Sequence, residues 1–284
     1  AGRALPPILI TPAGLCHVPG RRAMDAVGTP ACRPPVVGCP ATAPSAELEG
    51  VRPPTLYGDD SKFYSIDVEC VASGIQHTDR VVAQISLVRG DGEVLLNIYV
   101  KPTMPVVSYI TPLTGLTAEL IEEKGIELET ALTELRRHLP REATLVGQGI
   151  DNDVRWLGLV QGEDFAGMID LATVWCTWNH TYNSWSVFSQ EHLAKVLLGE
   201  DYAGTAHNAV DDAVKAVKLF RIHQQLAELG EHALEDARTR LLTTPVSPAF
   251  KKRYPVFEGV CMGDRRTCRC GAPPFAGLEP PFAG

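Results

Sequence analysis

Proline limits where this chain can build regular structure. Eleven of its 22 prolines fall before residue 55 and seven after residue 244, leaving Pro102, Pro105, Pro112 and Pro140 for the long middle section. A ring that fixes φ and removes an N–H donor is excluded from helix interiors and central strands. Residues 1–60 therefore read as a Pro/Gly-rich flexible segment, residues 61–244 as one compact domain, and residues 245–284 as a basic tail containing cysteine and proline. With 45% hydrophobic residues in 284, the middle section can bury one sizeable core.

Charge divides the chain in the same way. Basic and acidic side chains number five and five in residues 1–60, 15 and 26 in residues 61–244, and six and three in residues 245–284, for nets of 0, −11 and +3. An acidic core is a poor footprint for a protein that only grips a nucleic-acid backbone, and it suits a site that needs cations. LPPILI near the start is too short and proline-rich for a signal-peptide core, and no apolar run reaches the length of a membrane span. The first 24 residues hold Arg3, Arg21 and Arg22 and no acid, which faintly resembles an organellar transit segment, but they lack serine. Eight cysteines without a secretory signal point to an intracellular protein of the nucleus, the cytoplasm or an organelle.

The middle section opens as a meander. KFYSIDVECV (62–71) has strand composition, RVVAQISLV follows, and the turn signal Gly90-Asp91-Gly92 leads into EVLLNIYV. TAELIEE and ETALTELRRHL then have helical spacing, ATLVG and MIDLA read as short buried strands, and DNDVRWLGLV reads as a helix capped by Asp151 or Asn152. QEHLAKVLLG is a helix closed by Gly199, and a longer helix covers about 208–227. Three strands followed by alternating helix and strand predict an α/β sandwich with a mixed sheet.

Four carboxylates resist this packing. Asp67 and Glu69 lie two apart in an apolar strand, so alternation places both on one face, where like charges repel and resist burial. An edge-strand solvent face is the plain alternative. Asp153 has Trp156, Leu157 and Val160 at i+3, i+4 and i+7, whereas Asp151 has Arg155 at i+4 and reads as a cap or solvated partner. Asp212 faces Ala216 and Leu219, while Asp211 faces Lys215 and Lys218 and reads as solvated. Four carboxylates from three elements make the oxygen donor set of a pair of Mg²⁺-like cations, which together can activate water and stabilise the leaving oxygen of a phosphoryl displacement. His207, five residues before Asp212, is then placed to take a proton, although a lone histidine there is otherwise a cap or surface residue.

Three ordered motifs resemble the DEDDh (DnaQ-like) 3′→5′ exonuclease superfamily: D-V-E in SIDVECV, G-x-x-x-N-D in GQGIDNDVRWL and H-x-x-x-x-D in HNAVDDA. The match runs from about Lys62 to Gln225, and YVKPTMPVVSYITPLTGLT with VDDA is most similar to the eukaryotic RNA exonuclease branch. The resemblance implies an exonuclease domain over 61–244 with a ribonuclease H-like three-layer sandwich and a mixed five-stranded sheet flanked by helices. It implies Asp67, Glu69, Asp153 and Asp212 as metal carboxylates for two Mg²⁺ or Mn²⁺ ions and His207 as general base. Its implied partner is single-stranded nucleic acid, with RNA 3′ ends favoured. Asn208 stands where the tyrosine class of the superfamily has its Tyr, which favours the histidine class, and Gln148 departs from the histidine frequent in the RNA branch.

The remaining signals are weaker. Cys261, Cys268 and Cys270 are close enough to give thiolates to Zn²⁺, with Cys16, His17, Cys32 or Cys39 as a fourth ligand, but the spacing is not a standard finger, and free thiols in a flexible tail are favoured. Lys251, Lys252, Arg253, Arg265, Arg266 and Arg269 make that tail the candidate for added phosphate contact. Trp156 reads as core, and WCTWNHTYNSW (175–185) reads as an irregular insertion with an aromatic to stack on a base. The rival functions are a catalytically silent RNA- or protein-binding subunit and a DNA exonuclease.

Overall fold

The computed structural model describes residues 62–271 apart from Ala203, all within one compact unit. Strands β1 (Phe63–Ala72), β2 (Arg80–Arg89) and β3 (Val94–Tyr99) form the expected antiparallel meander, turned at Gly92 with φ 88°. A Pro-containing stretch leads through α1 (Thr111–Thr114) to α2 (Ala118–Lys124), where Thr117 Oγ1 accepts the Leu120 N–H at 3.2 Å. Helix α3 (Leu128–His138), strand β4 (Thr144–Gly147), helix α4 (Asp151–Trp156) and strand β5 (Gly167–Asp170) follow in alternation. The sheet order is β3-β2-β1-β4-β5, with β4 and β5 parallel to β1. A mixed sheet with β1 at its centre is what the alternation of elements required.

Each face of β1 meets a different helical layer. Tyr64, Ile66 and Val68 pack with Leu132 and Leu135 of α3 and Val154 of α4, while Phe63 on the opposite face meets Phe220 at a tilt of 59°, ring centroids 4.9 Å apart. Phe220 belongs to the long helix α7 (Ala209–Leu229). Leu145 and Leu135 are fully enclosed, and truncating either to alanine would cost about 2–5 kcal/mol.

Between β5 and α7 the chain departs from expectation. WCTWNHTYNSW is not irregular: α5 (Leu171–Val174) ends at Trp175, which is 1% exposed in the core, and β6 (Thr177–Asn179) pairs with β7 (Ser184–Ser186) as a hairpin. Trp178 and Trp185 oppose each other across it, edge to face at 5.7 Å. QEHLAKVLLG forms α6 (Gln190–Leu193), continues as a π turn (Ala194–Leu198) and closes at Gly199, as expected. Helix α4 has Ile150 at its cap position with no side-chain bond, so neither Asp151 nor Asn152 caps it.

The described part of the segment beyond residue 244 carries regular structure. After α7 comes α8 (Glu231–Thr243), then α9 (Phe250–Arg253) and a small hairpin of β8 (Val256–Phe257) and β9 (Val260–Cys261). Val260 is fully buried against Ala72 and Ile110, and Glu258 accepts a hydrogen bond from Ser108. This segment is packed because its apolar residues find a partner surface that its proline content hid. Among the described residues no helix is long and apolar enough to cross a membrane.

Candidate active site

The cleft opens where β1 and β4 part. They pair only at Phe63–Thr144 and Tyr64–Leu145, so β1 runs on beyond its parallel neighbour. The Val68 N–H, left without a strand partner there, is taken by Asp153 Oδ1 at 3.0 Å. That bond draws α4 onto the strand carrying Asp67 and Glu69. A bulge falls between Glu69 and Cys70, and Gln84, opposite Glu69, accepts the Ala209 N–H at 3.4 Å and so anchors the start of α7.

Helix α7 delivers the other two groups. Asn208 caps it through the Val210 N–H at 3.0 Å, which leaves His207 just outside and Asp212 in the first turn. The His207 N–H donates to Leu113 O at 2.6 Å. Asp67, Glu69, Asp153, His207 and Asp212 thus line one open cleft of about 220 Å³ with Gln148, Gly149, Asn152 and Trp156. Ligand atoms of Glu69, His207 and Asp212 lie within 4.8 Å of one another. Crevices beyond the carboxyl ends of parallel strands are where open α/β sheets bind ligands.

Comparison with known proteins bears on this arrangement. The model of the RNase_T exonuclease family matches residues 65–220. The chain belongs to that family. The Arabidopsis thaliana small RNA degrading nuclease 3 is 33% identical over 161 residues, covering 56% of this chain and 20% of that protein. The Neurospora crassa Pan2 catalytic unit, with protease and nuclease domains, shares the fold at TM-score 0.54 and 19% identity, covering 72% of this chain and 34% of that one. A Saccharomyces cerevisiae Pan2 UCH-Exo module in complex with AAGGA RNA gives TM-score 0.52 at 20% identity, over 64% and 32%. The chain therefore spans about a fifth to a third of the length of these relatives. The ribonuclease H-like sandwich and the place among DEDDh proteins near the RNA exonucleases hold.

In this exonuclease domain the cleft carboxylates are held away from their ordinary state. Burial, then the charges of Asp153, Asp212 and Glu69, push Asp67 well above the usual carboxylate range. Burial also raises Asp153, against the opposing bond from Val68, and carries Glu69 to about 8 despite His207. Asp212 goes the other way: burial opposes ionisation, but His207 and Lys215 overcome it. The fold brings together acids that cannot all ionise alone, and the oxygen donors suit hard divalent cations.

Two neighbours of the cleft residues, Glu191 beside His207 and Lys215 beside Asp212, differ from what the sequence spacing predicts. Glu191 Oε1 meets His207 Nε2 at 3.1 Å, while Asp212 Oδ2 holds Nδ1 at 2.8 Å. Burial would lower the imidazole, yet these two carboxylates raise it to about 10. Lys215, expected to be solvated beside Asp211, is 4% exposed, contacts Asp212 and lies 4.1 Å over the Tyr202 ring. Lys218 pairs with Glu200 at 2.8 Å, and Asp211 is exposed as expected. Trp156 is half-buried at the cleft wall rather than purely core. Gln148 donates to Phe188 O at 3.0 Å, joining the cleft to the chain leaving β7.

Proposed function

We propose that the chain is a 3′→5′ exoribonuclease that shortens single-stranded RNA, using two divalent cations and His207 as general base. The observation that carries this reading is the convergence of Asp67, Glu69, Asp153, Asp212 and His207 on one cleft. The four carboxylates would hold the ions. Mg²⁺ or Mn²⁺ supplies, when bound, polarisation of the scissile phosphate and stabilisation of the leaving oxygen.

The chain's own residues perform the proton step. Asp212 holds Nδ1 of His207, so Nε2 is the nitrogen that takes the proton of the attacking water, and Glu191 stands next to it as the following acceptor. His207 must lose its proton first, and positive charge brought to the neighbouring carboxylates favours that loss. Trp156 offers a face for the terminal base, and Gln148 and Asn152 offer amides to the sugar-phosphate. Arg253 Nη1 lies near Gly204, on the loop leading to His207, and basic α9 is the candidate for added phosphate contact. RNA is favoured over DNA because the plant relative is a small RNA degrading nuclease and the yeast Pan2 module binds AAGGA RNA.

The contact between Lys215 and Asp212 favours a second reading, a binding subunit without turnover, since one carboxylate already has a permanent cation. One experiment separates them. The full chain is mixed with 5′-labelled single-stranded RNA or matched DNA in Mg²⁺, in Mn²⁺ and in chelator, with Mn²⁺ stoichiometry measured by calorimetry. Stepwise loss from the RNA 3′ end with two ions per chain supports the proposal. RNA left intact in both ions, or shortened from its 5′ end, overturns it.

A further inference from the structure

The second cluster of metal-ligating side chains stands apart from the carboxylate cleft. His77, in the loop between β1 and β2, meets Cys261, Cys268 and Cys270 of the C-terminal segment, and their ligand atoms all lie within 4.8 Å of one another. His77 Nδ1 is 3.1 Å from Cys270 Sγ and 3.6 Å from Cys268 Sγ, and Cys268 Sγ lies 3.4 Å from Cys261 Sγ and 3.5 Å from Cys270 Sγ. Zn–S bonds of about 2.3 Å and Zn–N bonds of about 2.0–2.1 Å in a tetrahedron put the ligand atoms roughly 3.6–3.8 Å apart. A disulfide needs sulfurs at about 2.05 Å, and three mutually adjacent thiols would leave one over. We propose that these four residues form a structural zinc site.

The surroundings are built for it. The Gly263 N–H points to Cys261 Sγ at 3.4 Å, the kind of donor that steadies a thiolate. Gly263 has φ 71°, and a Cβ there would stand 3.2 Å from the His77 side chain, so a larger residue would strain the turn and crowd the imidazole. Three thiolates on Zn²⁺ leave one negative charge. Arg80 lies beside it, its Nη2 donating to Cys261 O at 3.1 Å, and Gln76 Nε2 reaches Cys270 O at 3.5 Å.

Four protein ligands close the coordination sphere, so the site fastens rather than catalyses. It binds the β1–β2 loop to the hairpin of β8 and β9, whose Cys261 N–H also donates to Ile75 O at 2.8 Å. Cys16, His17, Cys32 and Cys39, the fourth ligands that the sequence offers, lie outside the described residues; His77 fills that place.

The test uses the full chain purified without added metal. Elemental analysis is expected to find one zinc per chain, retained through dialysis that strips Mg²⁺ and retained in Asp67→Asn, which separates it from the carboxylate cleft. Exchange with Co²⁺ should give thiolate charge-transfer and tetrahedral d–d bands. Cys268→Ser should abolish both bands and zinc content, and His77→Cys, which preserves four ligands, should keep the metal with an altered cobalt spectrum. Wild-type chain that carries no zinc and shows no such bands with Co²⁺, or that contains a disulfide among the three cysteines, overturns the assignment. That readout holds even where a cysteine variant fails to fold.

Discussion

The carboxylate cleft and the histidine–cysteine cluster treat charge in opposite ways. The cleft gathers four hard oxygen donors in an open pocket whose burial keeps three of them from ionising freely. The cluster gathers soft sulfur and nitrogen donors in a closed knot at the join between a core loop and a C-terminal hairpin. Exchangeable hard cations and substrate phosphate need open positions, whereas a fastening needs none. Donor softness and access differ together between the two groups, and that difference would keep their cations apart.

The largest effect expected on the cleft side follows Asp67→Asn. Turnover should fall to background. In metal-free buffer the variant should melt higher, by ~2–4 °C per kcal/mol of relieved repulsion, because one of the mutually repelling acids is gone. Calorimetric melting beside an RNA digest checks both, and a variant that melts lower with activity intact would break the contrast.

Next comes the imidazole. His207→Ala should lose roughly 10²–10⁴-fold in rate with little change in Mn²⁺ affinity. Glu191→Gln should act through the histidine: it removes a carboxylate that raises the His207 pKa, so the rising limb of the pH–rate profile moves to lower pH. A limb that stays in place would show that Glu191 only packs there. Zinc content should be unchanged in both variants.

The smallest effect belongs to Asp211→Asn. Its side chain is exposed, its neighbour Lys215 is engaged with Asp212, and the change should stay within about 0.5 kcal/mol in stability with near-normal rate. A rate loss matching that of Asp212→Asn would mean that the wrong aspartate was assigned.

What could be read from the sequence was local. Alternation placed Asp67 and Glu69 on one face, and helical neighbours separated Asp212 from Asp211 and Asp153 from Asp151. What could not be read depended on packing between distant segments. Glu191 sits in a helix whose apolar spacing says nothing of His207, and they meet only because α6 docks near the start of α7. His77 lies far along the chain from the cysteines, so no spacing rule joins them. Lys215 chose its i−3 neighbour over its i−4 neighbour because Tyr202 and the core enclose it. The hairpin of β6 and β7 did leave a signal, a tryptophan on each arm around an Asn-rich turn whose Asn183 takes φ 48°, and composition alone obscured it.

The bond from Val68 N–H to Asp153 has a consequence for how such a cleft can change over evolution. Main chain, rather than a side chain, fixes where Asp153 stands relative to Asp67 and Glu69, and no single substitution at position 68 other than proline removes an amide hydrogen. The floor of the cleft is thus a gauge cut into the sheet itself. Its walls are made by side chains, Gln148, Asn152 and Trp156, whose replacement leaves that main-chain bond in place, so a change of substrate contact on the rim does not by itself move the acids.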